Sequence, residues 1–105
     1  MVSRANVPSI REQKTTHGAK PLVMVTAYDA PGARMVDEAG VDMILVGDSL
    51  AMVVLGYEDT LQVTVDDIAH HTAAVARTKP SALVVADLPW LSYHISIEET
   101  VSNGA

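Results

Sequence analysis

The chain has 105 residues, a net charge of −6, no cysteine and 49% apolar residues. That length fits one small domain or part of a larger one, and a mean hydropathy of +0.21 suits a body that shares its core with further structure or other chains. Disulfides and thiolate metal sites are excluded, the seven basic residues form no stripe for nucleic acid, and no apolar run of about 18 residues offers a membrane span.

The amino terminus lacks a charged region followed by an apolar stretch, so no secretion signal is read and the expected compartment is the cytoplasm. Residues 1–8 are polar and are expected to be a flexible terminus, with residues 9–105 forming one portion of a single domain. Ser9 to His17 reads as a short helix, with Ser9 as its cap and Gly18 as its stop. Pro21 to Thr26 reads as a first buried strand. A helix starting at Asp29 and Pro31 and ending at Gly40 follows, with Ala33, Val36 and Ala39 on its apolar stripe and Met35 beside them. The second strand spans about Asp42 to Val46. The apolar segment Leu50 to Leu55 is too short to classify by period.

Thr64 with Asp67 makes a capping box, and Val65, Ile68, Thr72 and Val75 give the helix behind it one buried face. Lys79-Pro80 breaks that helix. The third strand is Ala82 to Ala86, Leu88 to Ile95 is a loop, and Ser96 with Glu99 opens a last helix. Strand and helix alternate throughout, which means parallel strands joined by crossovers.

Two acidic residues stand at the same point of this pattern. Asp48 closes the second strand's apolar run and Asp87 closes the third's. Near-continuous apolar runs of this kind are how strands buried on both faces of a parallel sheet read. The carboxyl ends of such strands are where α/β folds keep their chemistry. Either aspartate alone reads equally well as a helix cap. Together they point one rim of a sheet toward a hard cation. Mg²⁺ wants oxygen donors and takes only one or two protein carboxylates, with water and substrate oxygens completing its shell. Ser49, beside Asp48, has a hydroxyl to offer an anionic substrate on that ion.

Other candidates have blander readings. His70 and His71 are neighbours, point about 100° apart on a helix and cannot easily share an ion. His71 falls on the packed face and His70 nearer solvent. Asp66 and Asp67 suit a helix's first turn, and Asp37 and Glu38 read as a solvated face. Met24, Met35 and Met43 fall at expected core positions. Tyr28 and Tyr93 follow strands on the candidate rim, as pocket lining or as packing.

The segments Thr26-Ala27-Tyr28-Asp29, Asp37-Glu38-Ala39-Gly40, Val46-Gly47-Asp48-Ser49-Leu50 and Val53-Val54-Leu55-Gly56-Tyr57 strongly resemble the ketopantoate hydroxymethyltransferase family. So do Thr64-Val65-Asp66-Asp67, His71-Thr72-Ala73-Ala74-Val75 and Val85-Ala86-Asp87-Leu88-Pro89 with Ser92-Tyr93. Each motif is weak alone; their order and spacing, from about Ser9 to the last residue, are specific. Two small departures are Ala51, often Gly in the family, and Trp90, often Phe.

The resemblance implies the first three βα units of a TIM-like (β/α)₈ barrel of the phosphoenolpyruvate-mutase and isocitrate-lyase type, incomplete in this chain. It implies hydroxymethyl transfer from 5,10-methylenetetrahydrofolate to 3-methyl-2-oxobutanoate, giving 2-dehydropantoate for pantothenate synthesis. By resemblance, Asp48 and Asp87 serve a Mg²⁺ site and, with Ser49, contact the keto acid. The implied partners are the keto acid and the folate, with no nucleic acid and no membrane, and the family's full-length members form homo-oligomers, decamers in some. A Lys-Leu-Glu-Gly-Gly motif and the glutamate that acts as general base have no counterpart in the chain. Both are expected beyond Ala105, so no catalytic base is assigned within these residues. A barrel takes about 250 residues and eight strands, so the chain is expected to be an amino-terminal, inactive portion. A different class of reading is a non-catalytic remnant that acts by association with other chains. A flavodoxin-like receiver fits poorly, because Asp29 stands alone where an acidic pair is wanted. Another keto-acid enzyme of the same superfamily is disfavoured only by the resemblance.

Overall fold

The structure of the protein, a computed structural model, describes residues 5–15 and 20–89. The expected helix stop at Gly18, the loop beyond Pro89, Tyr93, the Ser96/Glu99 cap and Ala105 lie outside the described residues. Among those described, the elements are α1 (Val7–Thr15), β1 (Met24–Thr26), α2 (Ala30–Glu38), β2 (Met43–Val46), α3 (Leu50–Val53), α4 (Val65–Ala76) and β3 (Leu83–Ala86). The three strands form one parallel sheet in the order β1-β2-β3, as the alternation of strand and helix requires.

The local signals explain most boundaries. Asp29 caps α2 by accepting the Gly32 N–H at 2.7 Å, and Gly40, at φ +86°, ends it in the left-handed region that glycine tolerates. Thr64 and Asp67 exchange bonds of 3.1 and 3.0 Å at the start of α4, so the capping box is present in full. Beyond α4, Lys79 takes a φ of 52° ahead of Pro80 and turns the chain toward β3.

Four expectations are corrected, three of them at individual residues. The first helix begins at Val7, not Ser9: Asn6 accepts the Ser9 N–H at 2.8 Å and the Ser9 hydroxyl accepts the Asn6 N–H at 3.0 Å. Ser9 is therefore the returning partner of a box that Asn6 opens, and α1 starts inside the stretch expected to be irregular. Second, Asp37 is no solvated residue. Its carboxylate accepts the N–H of Ser81 at 3.1 Å and of Ala82 at 3.0 Å, just before β3, where the turn leaves both amides without a ladder partner. Third, Met24 and Met35 are exposed, at 43% and 72%. Met35 lies on the side of α2 away from buried Ala33, and Met24 lies on an edge strand.

The strands are not buried on both faces. Ile44 and Val46 are fully buried and pack with Ala33, Leu50, Ala51, Ile68 and Val75 in one cluster. This is the face that α2 and α4 cover. The other face carries Met24, Thr26, Met43, Leu45, Leu83 and Val85, which the parallel register brings side by side. Every one of these is half-buried or exposed. An apolar face is thus left open, at the end of a sheet whose β1 and β3 each pair on one side only among the described residues.

Candidate metal and substrate site

The site is built where β2 and β3 end together. Val46 pairs with Ala86, and the Asp87 N–H donates to the Val46 carbonyl at 3.1 Å, so the two strands stay in register to their last residue. One residue on, the Asp48 N–H donates to Asp87 Oδ2, also at 3.1 Å. The carboxylate of the third strand is therefore anchored on the backbone of the residue that closes the second. Gly47 permits this approach: a Cβ there would stand 3.3 Å from Asp87 Oδ2. Asp48, Ser49 and Asp87 are all half-buried.

Asp48 caps nothing. The short helix α3 has Ser49 at its N-cap, in a helical conformation and without a side-chain cap bond. Among the described residues no donor bonds the Asp48 carboxylate. One carboxylate is thus oriented by an amide, and a second, unspent one belongs to the residue that supplies that amide, both residues standing at the carboxyl rim of adjacent parallel strands. That donor set fits Mg²⁺, which needs one or two protein carboxylates and leaves the rest of its shell to water and ligand oxygens. It does not fit an ion held by protein groups alone: no group of three or more His, Cys, Asp or Glu side chains that could hold a metal occurs among the described residues. The general base expected beyond Ala105 lies outside the described residues, which reach Pro89.

Sequence reasoning missed what holds the Ser49 hydroxyl. The Tyr28 hydroxyl and Ser49 Oγ lie 2.6 Å apart, across the ends of β1 and β2. His71 Nδ1 lies 2.7 Å from the Tyr28 carbonyl oxygen. His71 is half-buried on α4 and His70 is exposed, their rings edge to face with centroids 5.4 Å apart. The only hints in the sequence were the place of Tyr28 just after a strand and of His71 on the packed face.

The sequence profile of the ketopantoate hydroxymethyltransferase family matches residues 4–105. The chain belongs to the ketopantoate hydroxymethyltransferase family. It is similar to the 3-methyl-2-oxobutanoate hydroxymethyltransferase of Ignicoccus hospitalis, at 63% identity over 91 residues, covering 87% of this chain and 34% of that protein. The enzyme of the same name from Geobacillus thermodenitrificans is 62% identical over 84 residues, covering 80% and 30%. That of Bacillus subtilis is 54% identical over 92 residues, covering 88% and 33%. The chain spans about a third of the length of the curated relatives it matches. No helix among the described residues is long and apolar enough to cross a membrane.

Proposed function

We propose that this chain forms the metal-holding and keto-acid-positioning rim of a ketopantoate hydroxymethyltransferase. The reaction is hydroxymethyl transfer from 5,10-methylenetetrahydrofolate to 3-methyl-2-oxobutanoate, giving 2-dehydropantoate for pantothenate synthesis in the cytoplasm. The observation that carries this reading is the Asp48–Asp87 arrangement, with one carboxylate oriented by the other residue's amide at 3.1 Å. Asp48 and Asp87 hold Mg²⁺, and the Ser49 hydroxyl orients the keto acid by donating to one of its oxygens. When bound, the ion supplies Lewis-acid polarisation of the keto carbonyl. No base for the proton on the carbon next to that carbonyl and no folate site are assigned among the described residues.

The same reading extends to architecture. Three parallel strands with helices on one face and an open apolar face on the other support the first βα units of a (β/α)₈ barrel, whose interior that open face would line. Family members of this kind assemble as homo-oligomers, decamers in some. Little or no turnover is expected from the 105 residues alone, and steady-state rates near those of the full-length relatives would contradict that.

Titration of the chain with 3-methyl-2-oxobutanoate, with and without MgCl₂, tests the site. Binding is expected only with the ion, and is expected to fall more than about 100-fold in Asp48→Ala and in Asp87→Ala. A second reading is favoured by the exposure of Met35 and Val53, each 72%, and of Leu61, 57%: a non-catalytic chain that acts by associating with others. That reading predicts no dependence on Asp48, Asp87 or magnesium.

A further inference from the structure

We infer that Tyr28 and His71 are positioning residues that fix the direction in which Ser49 offers its hydroxyl proton to the keto acid. The inference rests on the reading of Ser49 given above. Its geometry comes from three separate elements. Tyr28 follows β1, Ser49 follows β2 and His71 stands on α4, yet the hydroxyl pair is 2.6 Å apart and the ring nitrogen 2.7 Å from the Tyr28 carbonyl oxygen.

The directions follow from hydrogen-bond chemistry. A carbonyl only accepts, so His71 Nδ1 carries a proton and donates it to Tyr28. Tyr28 is thereby tied at its backbone, while its side chain packs against the buried cluster that includes Ile44 and Leu50. Backbone and ring are both held, so the phenol oxygen has one place to be. Ser49 has a single hydroxyl proton and two lone pairs. When that proton goes to an anionic keto acid, Ser49 is left only as an acceptor toward Tyr28, and Tyr28 must donate. The order is therefore Tyr28 O–H to Ser49 Oγ, and Ser49 O–H to the substrate oxygen, each bond polarising the next. Without the phenol, Ser49 loses the donor that turns its proton toward the ligand.

Two measurements on the full chain test this. With ¹³Cζ-labelled tyrosine, the Tyr28 resonance is identified by its absence in Tyr28→Phe. It is expected to move on addition of MgCl₂ and 3-methyl-2-oxobutanoate, and to move in Ser49→Ala and His71→Leu. It is expected to stay in His71→Asn, whose amide nitrogen stands near the place of Nδ1 and keeps the donor. A resonance indifferent to Ser49→Ala overturns the inference, as does a failure of His71→Asn to restore what His71→Leu removes. In keto-acid titrations at saturating MgCl₂, Tyr28→Phe is expected to weaken binding roughly 3- to 10-fold, the worth of one neutral hydrogen bond. It is expected to have no further effect in the Ser49→Ala background; independent, additive losses sink the relay. Full affinity in Tyr28→Phe with weakened binding in Ser49→Ala overturns this inference alone. Full affinity in Ser49→Ala instead overturns the role of Ser49 on which it rests.

Discussion

The two ends of the sheet differ in how fully they commit their aspartates to backbone amides. At the amino end, each aspartate is spent on backbone. Asp42 accepts the Val23 N–H at 2.8 Å, and Asp37 accepts two amides ahead of β3. At the carboxyl end, Asp29 caps α2 and Asp87 accepts a single amide, but the Asp48 carboxylate accepts none among the described residues. A carboxylate that closes two orphan amides, one on each oxygen as in Asp37, stabilises the fold and has less left for a ligand. One that accepts few or no amides keeps its lone pairs for other partners. Barrel-type α/β architecture makes the same division, with stability at the amino end of the strands and chemistry at the carboxyl end. The cavities reinforce the point by contrast. A space of about 380 Å³ opens at the amino end, lined by Ala5, Asp37, Glu38 and Ser81 among others. Its Asp37 and Asp42 carboxylates already accept backbone amides, so concavity alone is a poor guide to the candidate site here.

The sharpest way to break the comparison is to delete one carboxylate from each end. Asp48→Ala is expected to lose magnesium-dependent keto-acid binding by more than about 100-fold while shifting the urea unfolding free energy by less than about 0.5 kcal/mol. Asp37→Ala is expected to do the reverse. It leaves the Ser81 and Ala82 amides without their charged acceptor and should cost about 2 to 4 kcal/mol, with keto-acid affinity per folded molecule unchanged. If Asp37→Ala weakened binding of the folded fraction as strongly as Asp48→Ala does, the division between the ends would not hold.

The carboxyl end was legible in sequence because its signal is local. Asp48 and Asp87 each close a short apolar run, and parallel pairing carries both to one rim without any knowledge of side-chain conformation. The caps at Asp29 and Thr64 were legible for the same reason, since a cap reaches only three residues. The amino end was not legible. Asp37 meets Ser81 and Ala82 across more than forty positions of chain, and nothing in the pattern around Asp37 separates that role from a solvated face. Tyr28, Ser49 and His71 were hidden likewise, because their contacts join three elements. Burial on both faces of the strands was over-read for another reason. An apolar run reports a residue's tolerance for burial, not whether a partner is there to cover it, and Met24 is exposed for want of one.

Gly47→Ala sharpens the comparison within the carboxyl end. Its new Cβ would stand 3.3 Å from Asp87 Oδ2 and 3.5 Å from Leu45 Cδ2, so the carboxylate must give by a few tenths of an ångström. Displacing the Asp87 carboxylate rather than deleting it should weaken keto-acid binding in MgCl₂ roughly 3- to 10-fold. Stability is expected to stay within about 1 kcal/mol, since the crowding is partly offset by the lost freedom of the unfolded chain. A stability loss well beyond that, with affinity intact, would make Gly47 a packing residue only.

The smallest expected effect comes from a position that belongs to neither end. Thr72 lies on α4 between Ile68 and Val75, and its buried hydroxyl has no hydrogen-bond partner among the described residues. A buried hydroxyl left unpaired costs free energy that a methyl group does not. Thr72→Val keeps the branched shape and removes the orphan, so it should leave stability unchanged or raise it by up to about 1 kcal/mol. Thr78, just past the same helix, supplies the control, because its hydroxyl donates to the Val75 carbonyl at 2.7 Å. The identical swap there should cost about 1 kcal/mol. Opposite signs for one substitution at two nearby threonines would show that hydrogen-bond satisfaction, not residue type, decides the outcome; matching losses would mean that Thr72 has a partner in solution.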